Sequence, residues 1–333
     1  ELKALGLKPY EAGRPKDGQV GNLVVDLPGK GPRILLNAHV DTVGPGKNIK
    51  PVERDGFIFA SGKTILGADD KSGVAAILEV LRTLKQKKLA HPALRVIFTV
   101  AEEIGLLGAL ALPKRILSGD FCITLDHGNV AEIIYKAPSQ QNIIATVKGK
   151  SAHAGIHPEH GINAIKIAAE AIARMKFGRI DKETTSNIGV IKGGKATNVV
   201  PDRVEIRGEA RSHDPKKLQK QIDHMRQVFT RTCAKRGAKL KFEVGEMYKS
   251  FEIKKSAAVI RIAVSAVKAS GIKPVLKQTG GGSDANIFNA AGIPTVIMGT
   301  GMQHVHTTAE RLSIKNLTKG AEVVLNLIVE RAQ

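Results

Sequence analysis

Apolar residues recur along this chain with two different spacings, and each spacing predicts a different element. Short apolar runs rich in β-branched residues, such as Leu94 to Val100, are typical of strands buried on both faces of a sheet. Longer segments with apolar residues three or four positions apart predict amphipathic helices, as between Val74 and Leu84. Strands and helices alternate in the first and last parts of the chain, which predicts an α/β fold.

The middle of the chain follows a different order of elements. After Ala137 the pattern predicts a strand, a helix, two strands joined by a Gly-Gly turn, a second helix and a final strand. The four predicted strands are Ile143 to Lys148, Ser186 to Ile191, Arg203 to Ala210 and Lys239 to Val244. This β-α-β-β-α-β order is that of a ferredoxin-like α+β domain. We therefore expect two domains, one built from residues 1–138 and 251–333 and the other inserted at 139–250.

The composition is typical of a globular protein. A length of 333 residues with 42% hydrophobic content is sufficient for a large buried core. No apolar run approaches the roughly 18 residues of a membrane-spanning helix, and no signal-peptide pattern is present, so a cytoplasmic protein is expected. Cys122 and Cys233 are too few for a disulfide framework and lack the spacing of metal ligands, so both are predicted to be reduced packing residues.

The formal net charge of +20 is compatible with an anionic partner such as nucleic acid. The Lys and Arg residues are scattered over predicted helix faces and loops, however, with only small clusters such as Lys85 to Lys88. Aromatic residues, which would stack on bases, make up only 4% of the chain. This distribution favours an ordinary solvated surface, and a nucleic-acid-binding protein is kept as the alternative from another functional class.

Acidic residues and histidines collect where predicted strands end or helices begin. Two adjacent carboxylates, Glu102 and Glu103, follow the buried strand that ends at Val100. Burying either carboxylate without a partner is costly, so strong positive partners are expected nearby, and metal ions are the obvious candidates. The other positions of this kind are His39, Asp41, Asp69 and Asp126. Because ligands of open α/β sheets bind outside the carboxyl ends of the strands, these positions together predict a site at that edge.

Each of these residues also has an ordinary structural explanation. Asp69 and Asp70 begin a predicted helix, where carboxylates cap the first turn and complement the helix dipole. His304 and His306 lie in a loop near the end of the chain, where either can be a hydrogen-bonded loop histidine. A carboxylate cluster that requires a nitrogen ligand favours His306 as a metal ligand and one helix-start carboxylate as a metal bridge.

Five short motifs carry a resemblance to a known family. They occur in the order HVDTV, GADDKSG, VAEEIG, TLDHG and VHTTAE, with the inserted domain between the fourth and the fifth. In these motifs the chain resembles the M20 family of dinuclear zinc peptidases and deacylases, and within it the peptidase T-like branch. The resemblance covers nearly the whole chain. It implies a mixed-sheet zinc-peptidase catalytic domain with an inserted lid domain through which two copies form a homodimer.

The resemblance assigns a role to each residue of the metal set. His39 and Asp126 would hold one ion and Glu103 and His306 the other. Asp69 would bridge the two ions. Two nitrogen ligands and three carboxylates suit zinc, and cobalt or manganese would also fit such a set. The implied cofactors are therefore two divalent metal ions.

Two further acids receive roles from the same resemblance. Asp41 would orient the imidazole of His39, as a carboxylate behind a ligand histidine does. Glu102 would be the general base that takes a proton from the attacking water and passes it to the departing amine. Asp70 is then a helix-start acid rather than a ligand.

The inserted domain supplies substrate contacts in the family. By resemblance His153 stabilises the oxyanion across the dimer, while Asn198 and Arg211 contact the substrate. The glycine loop containing Gly281 and Gly282 would offer backbone N–H groups to a substrate carboxylate. Without the family, these residues would be an exposed loop histidine, a turn asparagine, a solvated arginine and a flexible turn.

The predicted function is metal-dependent hydrolysis of an amide bond in a small peptide, as performed by an aminopeptidase or tripeptidase. An N-acyl amino acid deacylase or a carboxypeptidase would use the same site, and a dinuclear phosphoesterase would use the same metals. The expected substrate is therefore a small peptide or an N-acyl amino acid.

Overall fold

A computed structural model describes residues 1–331 of the chain and divides it into two compact units. The first unit consists of Glu1–Ala137, Phe251–Thr279 and Ser283–Gln333, and the second of Pro138–Ser250 together with Gly280–Gly282. The second unit thus interrupts the chain of the first. The three glycines were not part of the inserted domain in the division predicted from the sequence.

Short strands alternate with helices along most of the chain. The strands are β1 (Tyr10–Ala12), β2 (Asn22–Leu27), β3 (Arg33–His39), β4 (Pro51–Arg54), β5 (Phe57–Ala60), β6 (Ala93–Thr99), β7 (Phe121–His127), β8 (Glu132–Ala137), β9 (Ser139–Lys148), β10 (Gly178–Arg179), β11 (Thr184–Gly193), β12 (Arg203–Ser212), β13 (Lys239–Tyr248), β14 (Phe251–Glu252), β15 (Val275–Gln278), β16 (Thr295–Gly299), β17 (Met302–Gln303) and β18 (Arg311–Ser313). The helices are α1 (Ala68–Gln86), α2 (Leu107–Leu110), α3 (Ala164–Arg174), α4 (Pro215–Lys235), α5 (Ala258–Ala269), α6 (Asp284–Ala290) and α7 (Ile314–Val329), and a 3₁₀ turn spans Pro158–His160.

A nine-stranded mixed sheet forms the centre of the first unit. Its strands lie in the order β1-β2-β6-β3-β7-β16-β8-β14, with β15 beside β8. β3 is parallel to its neighbours β6 and β7, so the carboxyl ends of all three strands reach the same edge. β2 and β3 follow each other in the sequence, but β6 lies between them. At the far side of the sheet, Phe251 of β14 pairs with Ala137 of β8.

Helices cover both faces of this sheet. Ile34 and Leu36 of β3 belong to the apolar cluster that contains α1, α5 and α7. Leu35, between them, belongs to the cluster on the opposite face with Phe288 of α6. All of these side chains are fully buried. Because both faces are covered, the strand is a continuous apolar run in the sequence rather than an alternating pattern.

The first unit also contains a four-stranded sheet in the order β17-β18-β5-β4, which the sequence pattern did not predict. β4 is exposed along its whole length, and every residue of β5 is partly exposed. β4 has no apolar run, but β5 is an apolar run that follows an Asp-Gly pair, so a hairpin signal was present in the sequence and was overlooked.

The second unit contains one antiparallel sheet, in the order β10-β11-β12-β9-β13. Apart from the two-residue β10, its first strand lies between its third and fourth, which is the ferredoxin-like arrangement predicted from the element order. α3 and α4 pack against this sheet around a core that contains Phe229. Asn163 and Asp214 cap the two helices, since each side chain accepts a backbone N–H from the first turn.

Both cysteines pack in apolar surroundings. Cys122 of β7 and Cys233 of α4 are free and buried, as predicted. Within residues 1–331, no helix has both the length and the apolar composition needed to cross a bilayer.

Candidate metal centre

The five predicted metal ligands come from five separate segments of the first unit. β3 ends at His39, and its parallel neighbour β6 leads into the turn that carries Glu103. Asp126 lies near the end of β7, the other parallel neighbour of β3. The start of α1 supplies Asp69, and the loop between β17 and β18 supplies His306. Because the three strands end at one edge of the sheet, side chains that follow them reach the same place.

Asp69 lies between the two histidines. Its Oδ1 atom is 3.1 Å from Nε2 of His39, and its Oδ2 atom is 3.2 Å from Nε2 of His306. The same nitrogen of His306 is 3.1 Å from Oε1 of Glu103. Asp69 thus presents one carboxylate oxygen to each side of the cluster, which is the arrangement a bridging carboxylate requires.

The cluster contains two groups that are each suited to a metal ion. One group is His39, Asp69 and Asp126, and the other is Asp69, Glu103 and His306, with the ligand atoms of each group within 4.8 Å of one another. A tetrahedral zinc ion with bonds of about 2.0–2.1 Å holds its ligand atoms roughly 3.3 Å apart. The two contacts of Asp69 with histidine, at 3.1 and 3.2 Å, fit that separation. Nitrogen and carboxylate ligands also suit cobalt and manganese.

Carboxylates crowd this edge of the sheet. Loss of solvation raises the pKa of Asp126 well above its ordinary value, and the charges of Asp69 and Glu102 raise it further. Burial is also the main cause that raises the pKa of Asp70 and that of Glu103, and repulsion from Asp69 raises both values further. Among the described residues, the hydrogen bonds and ion pairs of these carboxylates include two histidines but no Lys or Arg side chain. A bound cation would relieve this repulsion.

Contacts with the carboxylates raise the pKa of both histidines. The hydrogen bond with Asp69 is the main cause that raises the pKa of His306 to about 9. Burial lowers the pKa of His39, but hydrogen bonds with Asp41 and Asp69 outweigh burial and raise it far above its ordinary value. Burial likewise raises the pKa of Asp69, and its hydrogen bonds with His306 and His39 reverse that shift and lower it. A metal ion that binds here must displace protons from the imidazoles.

Asp41 connects His39 to the turn that follows β6. The backbone carbonyl of Asp41 lies 3.1 Å from Nδ1 of His39, and its carboxylate lies 3.5 Å from the same nitrogen. The two carboxylate oxygens accept the backbone N–H groups of Glu102 and Glu103, at 3.0 and 3.1 Å. Since Nδ1 of His39 faces Asp41, Nε2 is directed at Asp69.

Glu102 is buried beside the candidate ligands. Its side chain is 9% exposed and has no hydrogen-bond or ion-pair partner among the residues that the structure describes. Burial is the main cause that raises its pKa to about 8, and repulsion from Asp284 adds to it. A carboxyl group with a pKa near neutrality can both accept and release a proton at physiological pH.

Residues 35–330 match the family model described as peptidase family M20/M25/M40. The chain belongs to this family. The match covers most of the first unit and all of the second, and it confirms the resemblance seen in the five motifs.

Related proteins of the family include peptidases with similar structures. A Bacillus subtilis (strain 168) protein, YqjE, is 42% identical over 316 residues, which cover 94% of this chain and 85% of that one. The crystal structure of aminopeptidase PepT from Bacillus cereus ATCC 10987 is 42% identical, with a TM-score of 0.86 and coverage of 100% of this chain and 91% of that one. A tripeptidase from Staphylococcus aureus is 41% identical, with a TM-score of 0.91 and coverage of 99% and 90%. This M20 chain is accordingly a metal-dependent hydrolase of peptide bonds, as predicted.

Glu310 of this M20 peptidase lies beside the candidate centre, and the sequence pattern did not identify it. Its carboxylate, 2% exposed, accepts the backbone N–H groups of Leu66 and Gly67 at 2.8 and 2.7 Å and that of Asp69 at 3.0 Å. Three charge-assisted hydrogen bonds thus fix the segment that carries the central ligand. The only signal in the sequence was the position of Glu310 at the end of the VHTTAE motif.

Asp284 is a second residue whose position the sequence did not reveal. It begins α6. Its Oδ2 atom accepts hydrogen bonds from the hydroxyl of Thr99 and, at 3.3 Å, from the amide of Asn37. Its other oxygen is buried without a hydrogen-bond partner among the described residues. Burial is the main cause that raises the pKa of Asp284.

The remaining predicted site residues of the M20 peptidase belong to the second unit. His153 is exposed, pairs with Val199 in an isolated β-bridge and accepts the backbone N–H of Gly155 on Nδ1 at 3.2 Å. The backbone carbonyl of Asn198 accepts the N–H of Ala154 at 2.9 Å. His153 and Asn198 therefore lie on two adjacent segments of chain.

Arg211 and the glycine loop have well-defined surroundings. Arg211 binds Glu209 through two parallel hydrogen bonds, of 2.9 and 3.0 Å. A Cβ atom added to Gly282 would lie 2.1 Å from the ring of Tyr248, so no larger residue fits at that position. Gly281 adjoins it in the same unit.

Proposed function

We propose that this chain is an aminopeptidase or tripeptidase that removes a residue from a small peptide. The observation that carries the proposal is the position of Asp69, with one carboxylate oxygen 3.1 Å from His39 and the other 3.2 Å from His306. Support for the substrate class comes from the PepT aminopeptidase and the tripeptidase, which are 42% and 41% identical to this chain.

Two divalent metal ions are the proposed cofactors. His39 and Asp126 would hold one ion, Glu103 and His306 the other, and Asp69 would contact both. Zinc is the proposed metal, with cobalt or manganese as substitutes. A bound pair of such ions lowers the pKa of water and polarises the carbonyl group of the scissile bond.

Glu102 is the proposed general base. Its buried carboxylate would accept a proton from the attacking water as the oxygen bonds to the carbonyl carbon, and cations bound beside it would favour this deprotonated form. The same group then gives this proton to the amide nitrogen as the C–N bond breaks, and the products are a carboxylic acid and a free amine. Glu102 is available for this role because its side chain has no other hydrogen-bond partner among the described residues.

Asp41 has a positioning role in this proposal. By contacting Nδ1 of His39, it leaves Nε2 as the ligand nitrogen. By accepting the N–H groups of Glu102 and Glu103, it fixes the turn that carries both the base and a ligand.

The second unit is proposed to bind substrate and to form the homodimer. His153 and Asn198 would contact the substrate, with backbone N–H groups of Gly281 and Gly282 as further donors. Arg211 would bind a substrate carboxylate, which must displace Glu209 from its guanidinium group. The cytoplasm is the proposed location.

The test compares wild-type protein with Glu102→Gln, both stripped of metal and reloaded with Zn²⁺. Hydrolysis is measured on di- and tripeptides and on N-acyl amino acids. We expect release of the amino-terminal residue from free peptides by the wild type. Glu102→Gln should bind Zn²⁺ normally while kcat falls roughly 10²- to 10⁴-fold, because the proton acceptor is lost. Cleavage of N-acyl amino acids but not of free peptides would establish the deacylase alternative, and near-normal turnover of the variant would refute the role of Glu102.

A further inference from the structure

The second unit contains another group of side chains of the types that bind metal ions. They lie in the HPEH turn, which we define as residues His157 to His160. His157 precedes the 3₁₀ turn Pro158–His160, and Glu159 lies within it. One ligand atom each from His157, Glu159 and His160 lies within 4.8 Å of the other two. None of these three residues has a role in the proposed peptidase reaction.

The geometry of the HPEH turn follows from its backbone. In a 3₁₀ helix residues three apart eclipse each other, so the imidazoles of His157 and His160 project from the same side. Their rings are stacked, with centroids 4.9 Å apart and planes inclined by 15°. Pro158 fixes its own φ angle and so restricts the turn before any ligand binds.

The distances between ligand atoms suit a small transition-metal ion. Oε1 of Glu159 is 3.1 Å from Nδ1 of His157 and 3.9 Å from Nε2 of His160. These values lie on either side of the roughly 3.3 Å that separates two ligand atoms of a tetrahedral zinc ion. A change of a few tenths of an ångström in exposed side chains is sufficient to bring all three atoms to one ion.

The base of the loop that carries the turn is held by backbone hydrogen bonds. Lys150 and Ile162 form a reciprocal pair, at 3.0 and 2.8 Å. Within the loop, the N–H of His157 donates to the carbonyl of His153 and that of His160 donates to the carbonyl of His157, each at 3.2 Å. The backbone is therefore ordered, and the entropy lost on binding an ion is limited mainly to three side chains.

The local charge also favours a cation here. The chain has 51 Lys and Arg residues in 333, yet none lies between Lys150 and Lys166. Glu159 is the only charged side chain in that interval. The turn thus offers a carboxylate and two imidazoles within a segment of the sequence that has no basic side chain.

We propose that the HPEH turn is a third metal site, which binds a divalent transition-metal ion through His157, Glu159 and His160. Two imidazoles with one carboxylate favour zinc or copper over magnesium or calcium, which prefer oxygen ligands. The side chains of the turn are 62–67% exposed, so the site exchanges its ion with solvent and binds it more weakly than the buried pair. This inference does not rest on the proposed peptidase function.

The experiment titrates metal-free, full-length protein with Zn²⁺ by calorimetry. Wild type should bind three ions per chain, with a weaker third event. In His160→Ala and in His157→Ala that event should weaken by at least about tenfold, the lower range for loss of even an outer partner of a metal site. His224→Gln, a histidine of the same unit outside the turn, is the matched control and should bind as wild type does. An unchanged third event in both turn variants would overturn the proposal.

Two further measurements separate this site from the buried centre. Asp69→Asn should lose the two tighter events and keep the third, whereas loss of all three would contradict an independent site. With Cu²⁺ as the probe on Asp69→Asn, the electron paramagnetic resonance spectrum should show two imidazole nitrogens, and His160→Ala in that background should leave one. The metal site of the turn is therefore tested separately from the buried centre, whether or not that centre binds metal.

Discussion

The metal centre and the HPEH turn present similar side chains but are assembled in opposite ways. The candidate centre takes its proposed ligands from five segments between His39 and His306, whereas the turn takes its three proposed ligands from four consecutive residues. Glu310 and Asp41 fix the segments of the centre through backbone N–H groups. The turn depends on its local backbone and is open to solvent. The geometry of a site built from distant segments depends on the whole tertiary structure, whereas the geometry of a local site depends mainly on its own few residues.

The largest difference is expected from Asp69→Asn. Because Asp69 belongs to both ligand groups of the centre, its loss should abolish binding of both tight ions and lower peptidase activity by about 10³-fold or more. The measurement is metal content after dialysis together with kcat/KM. Asp223→Asn, an exposed aspartate of α4, serves as the control. Retention of two tightly bound ions by Asp69→Asn would show that the centre does not depend on a shared carboxylate.

Glu310→Gln tests whether the centre depends on its supporting hydrogen bonds. The substitution replaces one carboxylate oxygen with an NH₂ group, which donates hydrogen bonds and cannot accept them. At least one of the three backbone N–H groups that Glu310 binds then loses its acceptor. The free energy of unfolding should fall by about 1–3 kcal/mol, and Zn²⁺ affinity should fall roughly 10- to 100-fold. Thermal unfolding and Zn²⁺ titration measure both effects. Glu322→Gln removes a partly exposed carboxylate of α7 that pairs with Lys319 at 2.8 Å, so it should change the free energy of unfolding by less than about 1 kcal/mol and leave Zn²⁺ affinity unchanged.

The pH dependence of metal binding sharpens the comparison further. The hydrogen bond with Asp69 raises the pKa of His306 to about 9 in the metal-free protein, so Zn²⁺ competes with a proton over the neutral range. The Zn²⁺ affinity of the centre should therefore rise with pH up to about 9. Above that pH, deprotonation of His306 should add nothing further to the affinity. In the metal-free protein the contribution of protonated His306 to stability is complete below about pH 6.5 and is lost as the pH rises through 9.

Calorimetry in buffers of different ionisation enthalpy counts the released protons directly. Binding to the centre should release more protons at pH 7 than at pH 10. Equal proton release at the two pH values would contradict the protonated state of His306.

The smallest effect is expected for stability changes in the HPEH turn. His157 and His160 are exposed, so His160→Ala should change the free energy of unfolding by no more than about 0.5 kcal/mol. Denaturant unfolding of metal-free protein provides the measurement. A much larger loss would mean that the turn supports the fold, and it would remove the distinction between a local and an assembled site.

The sequence predicted those parts of the molecule that depend on local patterns. β6 lies within one residue of the predicted run Leu94 to Val100, because its buried residues form a short apolar run. The five residues that the structure brings together at the candidate centre were predicted from acids and histidines at strand ends and from the five motifs. The hairpin of β4 and β5 was missed, although β5 is a short apolar run and an Asp-Gly pair joins the two strands. The position of β6 between β2 and β3 was not predicted either, because sequence patterns do not specify which strands are neighbours.

Glu310 shows why part of the site was not found from the sequence. Its three hydrogen bonds reach residues more than 240 positions earlier in the chain. A carboxylate in a polar loop is ordinary in sequence, and only the folded chain brings it against backbone N–H groups. Asp284 was overlooked for the same reason, since its partners Asn37 and Thr99 come from two other strands.

The pairing of Phe251 with Ala137 has a consequence for the modular history of the chain. Residues that face each other in an antiparallel pair have Cα atoms about 5 Å apart, so the points where the polypeptide departs for the inserted unit and comes back are nearly adjacent. A tight hairpin of a few residues would span that gap. The catalytic scaffold could thus acquire, exchange or discard the intervening module without rearranging its own hydrogen-bonded ladder.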